Sequence, residues 1–248
     1  MTDGGAQDIS MRVFNGHRLA AAFHEAGGGK LVVFCHGFHG QKSGDSRRFV
    51  RAARSLAEQQ ISSLRFDQYG CGDSEGDFKD VSFDDWVATT RAIAAWYLGA
   101  GNRVALFGQS MGACTALCVA ADLPDLTAVV AWVPGAGVEP IVPSPGGFSE
   151  EGGQIVPDRY WREAQEARIA ERFGRVAAPA YLVFGTADHY VNETNRRALI
   201  DRAQPHHQID VFEGYAHSAW SYEQATKILD RSCRFLVDAF EADAPKDR

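Results

Sequence analysis

The chain has no surplus of positive charge, no long apolar run and no paired cysteine pattern, and each shortage closes off a class of function. Its 25 lysines and arginines stand against 32 aspartates and glutamates over 248 residues, a formal net charge of −7. No basic field is therefore available to draw it to nucleic acid or to an anionic membrane. The short basic pairs Arg47-Arg48 and Arg196-Arg197 read as solvated helix faces. No segment reaches the roughly 18 to 20 consecutive apolar residues of a membrane span. Met1 to Ser10 is polar and lacks the apolar centre of a signal peptide, so the expected location is the cytoplasm. The five cysteines, Cys35, Cys71, Cys114, Cys118 and Cys233, are odd in number and scattered, unlike a disulfide framework. Cys114 and Cys118 share one helix face and read as small buried thiols rather than a metal or redox pair. There is neither a P-loop lysine motif nor a Gly-x-Gly-x-x-Gly between strand and helix. Gly70-Cys-Gly-Asp-Ser-Glu-Gly is glycine-rich but lacks the helix start that cradles phosphate. No cofactor and no metal is expected.

What the chain does contain is a 45% hydrophobic composition, enough for one substantial core, and a regular alternation of strand-like and helix-like segments. Met11 to Phe14 and His17 to His24 flank Asn15-Gly16, a hairpin signal. Strands are then expected at 31–35, 61–66, 104–107, 128–133, 181–184 and 209–212. Helices are expected at 47–60, 83–98, 113–121, 193–203 and 222–240. This pattern predicts an α/β fold, a mostly parallel sheet with helices on both faces and an antiparallel N-terminal hairpin at one edge. A single domain over 11–240 is expected, with 134–178 as a short lid or cap insertion. The first half of that insertion is rich in proline and glycine, and its second half, 158–173, reads as helix. The terminal segment 241–248 is expected to fray.

Residues 108 to 112 read Gly-Gln-Ser-Met-Gly between an apolar strand and a helix-forming stretch. That context matches the strained turn that lifts a serine above a sheet, and it nominates Ser110 as nucleophile. A serine hydroxyl needs a base, and the base needs an orienting acid. Gly185-Thr-Ala-Asp188 follows the strand 181–184, and Glu213-Gly-Tyr-Ala-His217 follows the strand 209–212. Ser110, Asp188 and His217 thus fall in the order serine, acid, histidine, all at strand-to-loop junctions. Oxyanion donors are expected from the backbone N–H of Met111, at a helix N-terminus, and of Phe38, in the loop after 31–35. His36 reads as an orienting residue for that loop. His39, His189 and the pair His206-His207 lie off the loop after the last strand and are set aside as bases.

The segments His36-Gly37-Phe38, Leu64 to Asp67, Gly70 to Ser74, Gly108 to Gly112, Gly185 to Asp188 and Gly214 to His217 together resemble the α/β-hydrolase superfamily, over nearly the whole chain from Arg12 to Phe240. The run Arg65-Phe-Asp-Gln-Tyr-Gly-Cys-Gly-Asp-Ser-Glu-Gly-Asp-Phe looks most like the cinnamoyl (feruloyl) esterase-like carboxylesterases. The resemblance implies ester hydrolysis without a cofactor and a small inserted lid over the pocket. Gln109 departs from the histidine common before the nucleophile, and Met111 from the frequent glutamine after it, so substrate preference is not carried over. The expected substrates are small-molecule carboxylic esters with short acyl or aryl groups, hydroxycinnamoyl esters among them. Trp132, Trp161, Tyr190 and Trp220 are expected to line the pocket. A thioesterase, acyltransferase or carbon–carbon hydrolase with the same triad stays open, as do a catalytically silent binding protein on this scaffold and a homodimer.

Overall fold

Five strands with nearly every residue buried make the centre of the molecule, because a parallel sheet covered on both faces has no solvated side to carry polar residues. The computed structural model describes residues 7–137 and 142–243. The strands are β1 (Gln7–Phe14), β2 (His17–His24), β3 (Lys30–Cys35), β4 (Ser62–Phe66), β5 (Arg103–Gln109), β6 (Ala128–Trp132), β7 (Phe148–Glu151), β8 (Gln154–Pro157), β9 (Ala180–Gly185) and β10 (Gln208–Phe212). The helices are α1 (Arg48–Ala57), α2 (Phe83–Gly99), α3 (Met111–Asp122), α4 (Asp158–Glu166), α5 (Ile169–Phe173), α6 (Glu193–Ile200) and α7 (Tyr222–Ala242).

Eight strands form one sheet in the order β1-β2-β4-β3-β5-β6-β9-β10. From β4 to β10 neighbours are parallel, whereas β1 and β2 are antiparallel to their neighbours and sit at one edge, as the Asn15-Gly16 turn predicts. Asn15 and Gly16 both take positive φ, at 50° and 82°, the pairing a type I′ turn requires. Phe49, Ala52 and Leu56 of α1 pack with Ile228, Leu236 and Phe240 of α7 on one sheet face. Trp86 and Ile93 of α2, Leu117 of α3, Tyr160 of α4 and Phe173 of α5 cover the other.

The segment between β6 and β9 differs from the sequence expectation in two ways. Its proline- and glycine-rich half holds a two-stranded ribbon, β7 with β8, which the sequence reading left without structure. The helix expected at 158–173 is two helices, parted where Arg168 turns left-handed at φ 48°. Pro140 of the expected lid, most of Met1 to Ser10 and the end of the expected frayed tail from 244 onward lie outside the described residues.

Candidate active site

The turn at the end of β5 holds Ser110 at φ 54°, ψ −123°, a backbone conformation rarely taken by residues with a Cβ. Two glycines make this turn possible. A Cβ on Gly108 would lie 2.3 Å from the Gly112 carbonyl oxygen, and one on Gly112 would lie 2.1 Å from the Cys35 carbonyl oxygen. Both spacings are far inside contact, so α3 can start this close to β3 only with glycine there.

The acid and the histidine arrive on the ends of β9 and the loop after β10, and backbone hydrogen bonds join their loops. Thr186 N–H donates to Phe212 O at 3.0 Å and Ala187 N–H to Tyr215 O at 3.0 Å. His217 Nδ1 then lies 2.7 Å from Asp188 Oδ2, and His217 Nε2 lies 2.9 Å from Ser110 Oγ. With Nδ1–H donating to the carboxylate, Nε2 is the free lone pair that accepts the Ser110 hydroxyl. The second oxygen of Asp188 accepts the N–H groups of Tyr190 at 2.8 Å and Val191 at 2.9 Å. Burial pushes the Asp188 pKa up, but the hydrogen bond from His217 and those two amides outweigh it and hold the group below the ordinary aspartate value.

The loop after β3 packs directly on the serine: a Cβ on Gly37 would lie 3.1 Å from Ser110 Cβ. His36 fixes that loop. Its Nε2 accepts the Gln68 N–H at 2.9 Å, so the proton sits on Nδ1 and is donated to Gly37 O at 2.7 Å. Burial, the largest influence, pushes the His36 pKa down, and the ring is neutral. Among the described residues neither the Phe38 nor the Met111 N–H donates to a protein acceptor, and both residues line the cavity that Ser110 faces. Two amides beside a nucleophile can receive the negative charge that develops on an attacked carbonyl oxygen.

That cavity holds about 390 Å³ and is lined by Phe38, His39, Gln109, Met111, Trp161 and Tyr190 together with Asp45, Glu151, Ser110 and His217. The 134–178 segment contributes Gly135, Glu151 and Trp161 to its wall.

Two of the four residues expected in the pocket lie elsewhere. Trp132 is fully buried under the sheet, packed edge-to-face against Phe107 and Trp220, with its indole N–H donated to Ser232 Oγ at 2.9 Å. A strand residue alternates between faces, and the side of β6 that Trp132 occupies belongs to the α1–α7 layer. Trp220 is buried in the same layer, its indole N–H donated to Ala216 O at 2.7 Å. His39 lines the cavity, whereas His206 and His207 turn toward Val176 O, away from it.

The sequence reading missed Arg48 and Asp45. Arg48, expected on a solvated face, is only 3% exposed. It sits 4.6 Å over the Trp220 ring and donates to Ser218 O at 2.6 Å. The carbonyls on either side of His217 are thus each held by a side-chain donor. Asp45, at the cavity wall, accepts from Gln109 Nε2 at 3.3 Å. Another charged cluster sits behind the loop after β3. Asp67, fully buried, accepts from Lys42 Nζ at 2.7 Å and Asp73 N–H at 2.9 Å. The contacts of Arg48 with Ser218, of Asp45 with Gln109 and of Lys42 with Asp67 leave no local pattern, since each joins residues distant in sequence.

Comparison with known proteins places the chain in a family. A family model described as Hydrolase_4, serine aminopeptidase S33, matches residues 29–163. The match takes in Phe38 and Ser110 and ends before Asp188 and His217. Uncharacterized protein MT2364 of Mycobacterium tuberculosis is 26% identical over 94% of this chain and 79% of its own length. Among solved structures, Est1E of Butyrivibrio proteoclasticus with ferulic acid bound superimposes with a TM-score of 0.80, at 20% identity over 94% of this chain and 99% of that one. A monoacylglycerol lipase of Paleococcus ferrophilus superimposes with a TM-score of 0.75, at 21% identity over 89% and 99% of the two chains. At these identities the superpositions establish the α/β-hydrolase fold.

Proposed function

The chain belongs to the Hydrolase_4 family of serine hydrolases, and from that premise we propose that it cleaves carboxylic esters of short acyl or aryl acids through an acyl-enzyme on Ser110. The observation that carries this reading is the continuous hydrogen-bonded series from Ser110 Oγ through His217 to Asp188, opening on a cavity with two unpaired amides. In the proposed reaction His217 Nε2 takes the hydroxyl proton as Ser110 Oγ bonds to the ester carbonyl carbon. The oxyanion is received by the N–H groups of Phe38 and Met111, and each such donor contributes about 3 to 4 kcal/mol in comparable sites. His217 returns the proton to the departing alkoxide as the carbon–oxygen bond breaks. Water then adds to the acyl-enzyme by the same route in reverse, and Asp188 holds the imidazole in the required tautomer throughout. Phe38, Met111 and Trp161 give the cavity an apolar wall suited to an acyl chain or aryl ring, in keeping with the ferulic acid held by Est1E.

One observation favours a second reading. Asp45 and Glu151 bring two carboxylates to the cavity, and its wall carries no lysine or arginine. A substrate whose acyl part bears an amine would be matched by that charge, in line with the aminopeptidase description of the family. A panel of p-nitrophenyl esters varying in acyl length and aromaticity, run beside amino-acid p-nitroanilides with wild type and Ser110→Ala, separates the two. Faster turnover of the anilides than of every ester would overturn the esterase reading, and full ester turnover by Ser110→Ala would overturn both.

A further inference from the structure

The large sheet ends differently at its two edges. β10 is five residues long and shielded by charge: Asp210 pairs with Arg231 at 2.5 Å, and the cations of Lys227 and Arg231 lie 5.3 and 5.5 Å over the Phe212 ring. Long cationic side chains at an edge keep a further strand from adding to it. β1 is less shielded: its one long cation, Arg12, lies 5.5 Å over the Phe23 ring, on the face opposite its exposed apolar residues. It is eight residues long, contains no proline, glycine or lysine, and pairs with β2 residue for residue from Gln7 to Phe14 without a bulge. Ile9, Met11 and Val13 on one face are 64%, 45% and 67% exposed. Asp8, Ser10 and Arg12 alternate on the other. Among the described residues no strand pairs with the outer edge of β1.

The charges of β1 are arranged symmetrically about Ser10, with Asp8 two residues before it and Arg12 two residues after. We infer that β1 is a homodimer edge, at which a second copy of this chain pairs antiparallel about a two-fold axis passing between the two Ser10 residues. In that register Asp8 of each copy faces Arg12 of the other, Ile9 faces Met11, and two eight-stranded sheets become one. The attraction between these two side chains is already present within one chain, where they lie 3.3 Å apart. Across the axis they stand directly opposite, the position in which unlike charges stabilise a strand pair. A shift of two residues either way places Ser10 opposite Asp8 or Arg12 and loses both ion pairs. A shift of one would put the apolar face of one copy on the polar face of the other. The cavity lining contains no residue of β1, so this inference and the proposed hydrolysis fail or stand separately.

Facing residues on neighbouring strands have the Cα separation a disulfide needs, so Ser10→Cys tests the register. The five native cysteines are free and buried, which leaves position 10 as the reactive thiol. Wild type is expected to sediment as a dimer across a concentration series. Ser10→Cys is expected to form a covalent dimer on mild oxidation, and Ile9→Cys, which faces Met11, far less. The double variant Ile9→Lys/Val13→Lys is expected to sediment as a folded monomer with wild-type circular dichroism, since both side chains are exposed, and to melt without the concentration dependence that association gives wild type. A wild type that is monomeric at every concentration overturns the inference. So does a dimer that survives the two lysines, or one in which Ile9→Cys crosslinks as readily as Ser10→Cys.

Discussion

The guanidinium of Arg48 lies 4.6 Å over the Trp220 ring, and the two side chains hold the peptide carbonyls on either side of His217, Trp220 at Ala216 O and Arg48 at Ser218 O. An imidazole that must meet both Ser110 and Asp188 depends on that backbone staying in place. Arg48→Met keeps the aliphatic stem but removes the donor. It should lower kcat by about 10- to 100-fold, the range a displacement of about 1 Å costs, and leave KM for a small ester nearly unchanged. Steady-state kinetics beside a melting curve checks this. A variant that melts earlier but keeps full kcat would mean Arg48 serves the fold alone.

Ser110 carries its side chain at φ 54°, ψ −123°. Alanine in its place keeps the Cβ and therefore the strain, whereas glycine relieves it. Relief of a strained position amounts to about 1 to 3 kcal/mol, and glycine gives back about 0.4 to 1 kcal/mol through the greater freedom of the unfolded chain. Ser110→Gly should accordingly be more stable than Ser110→Ala by about 1 kcal/mol in urea unfolding, and both should lose about six orders of magnitude in kcat. A Ser110→Gly variant less stable than Ser110→Ala by about 0.4 to 1 kcal/mol would show that the turn at 110 is unstrained.

The hydrogen-bonded grouping of Ser110, Asp188 and His217 was legible in the sequence because each stands at or just beyond the end of a strand, and a parallel sheet brings all such junctions to one edge. The hairpin was legible because Asn15-Gly16 permits only a few turns. Arg48 was not legible, because its burial is decided by Trp220 and Ser218, some 170 residues away in sequence. Trp132 and Trp220 were misplaced for a related reason. Proximity to an active-edge loop does not say which sheet face a ring occupies, and Trp132 points to the α1–α7 side. The β7–β8 ribbon escaped because Phe148-Ser-Glu-Glu151 carries no apolar alternation. The break at Arg168 falls in a stretch of good helix formers and leaves no mark in the residue types.

Asp188 makes a pH prediction with a definite sign. Its folded pKa lies below the ordinary aspartate value, so its contribution to stability is complete above that value and is lost as pH falls through the folded pKa. Wild type should therefore lose, below about pH 4, an increment of stability that Asp188→Asn never has. Urea midpoints measured from neutral pH downward should show the two proteins farthest apart near neutrality and converging in acid. The same variant should turn over ester about 10⁴-fold more slowly, because asparagine favours the wrong imidazole tautomer. A gap that stays constant down to pH 3 would contradict the depressed value.

Trp161 sets the last test, on the size of the acyl group. Its ring stands 4.7 Å from that of Phe38 across the cavity wall, and the cavity of about 390 Å³ is near the small end for ligand pockets. A wild-type rate that falls off well before acyl chains of about ten carbons follows from that volume. Trp161→Ala removes the ring and opens the wall on the α4 side, while Phe38 keeps its backbone N–H beside Ser110. The variant should gain on longer acyl esters relative to acetate and lose on aryl esters, through KM more than kcat, since the proposed oxyanion donors and the Ser110–His217–Asp188 series are untouched. A wild-type rate climbing steadily with chain length, or a Trp161→Ala variant with an unchanged chain-length profile, would place the acyl group somewhere other than against this wall.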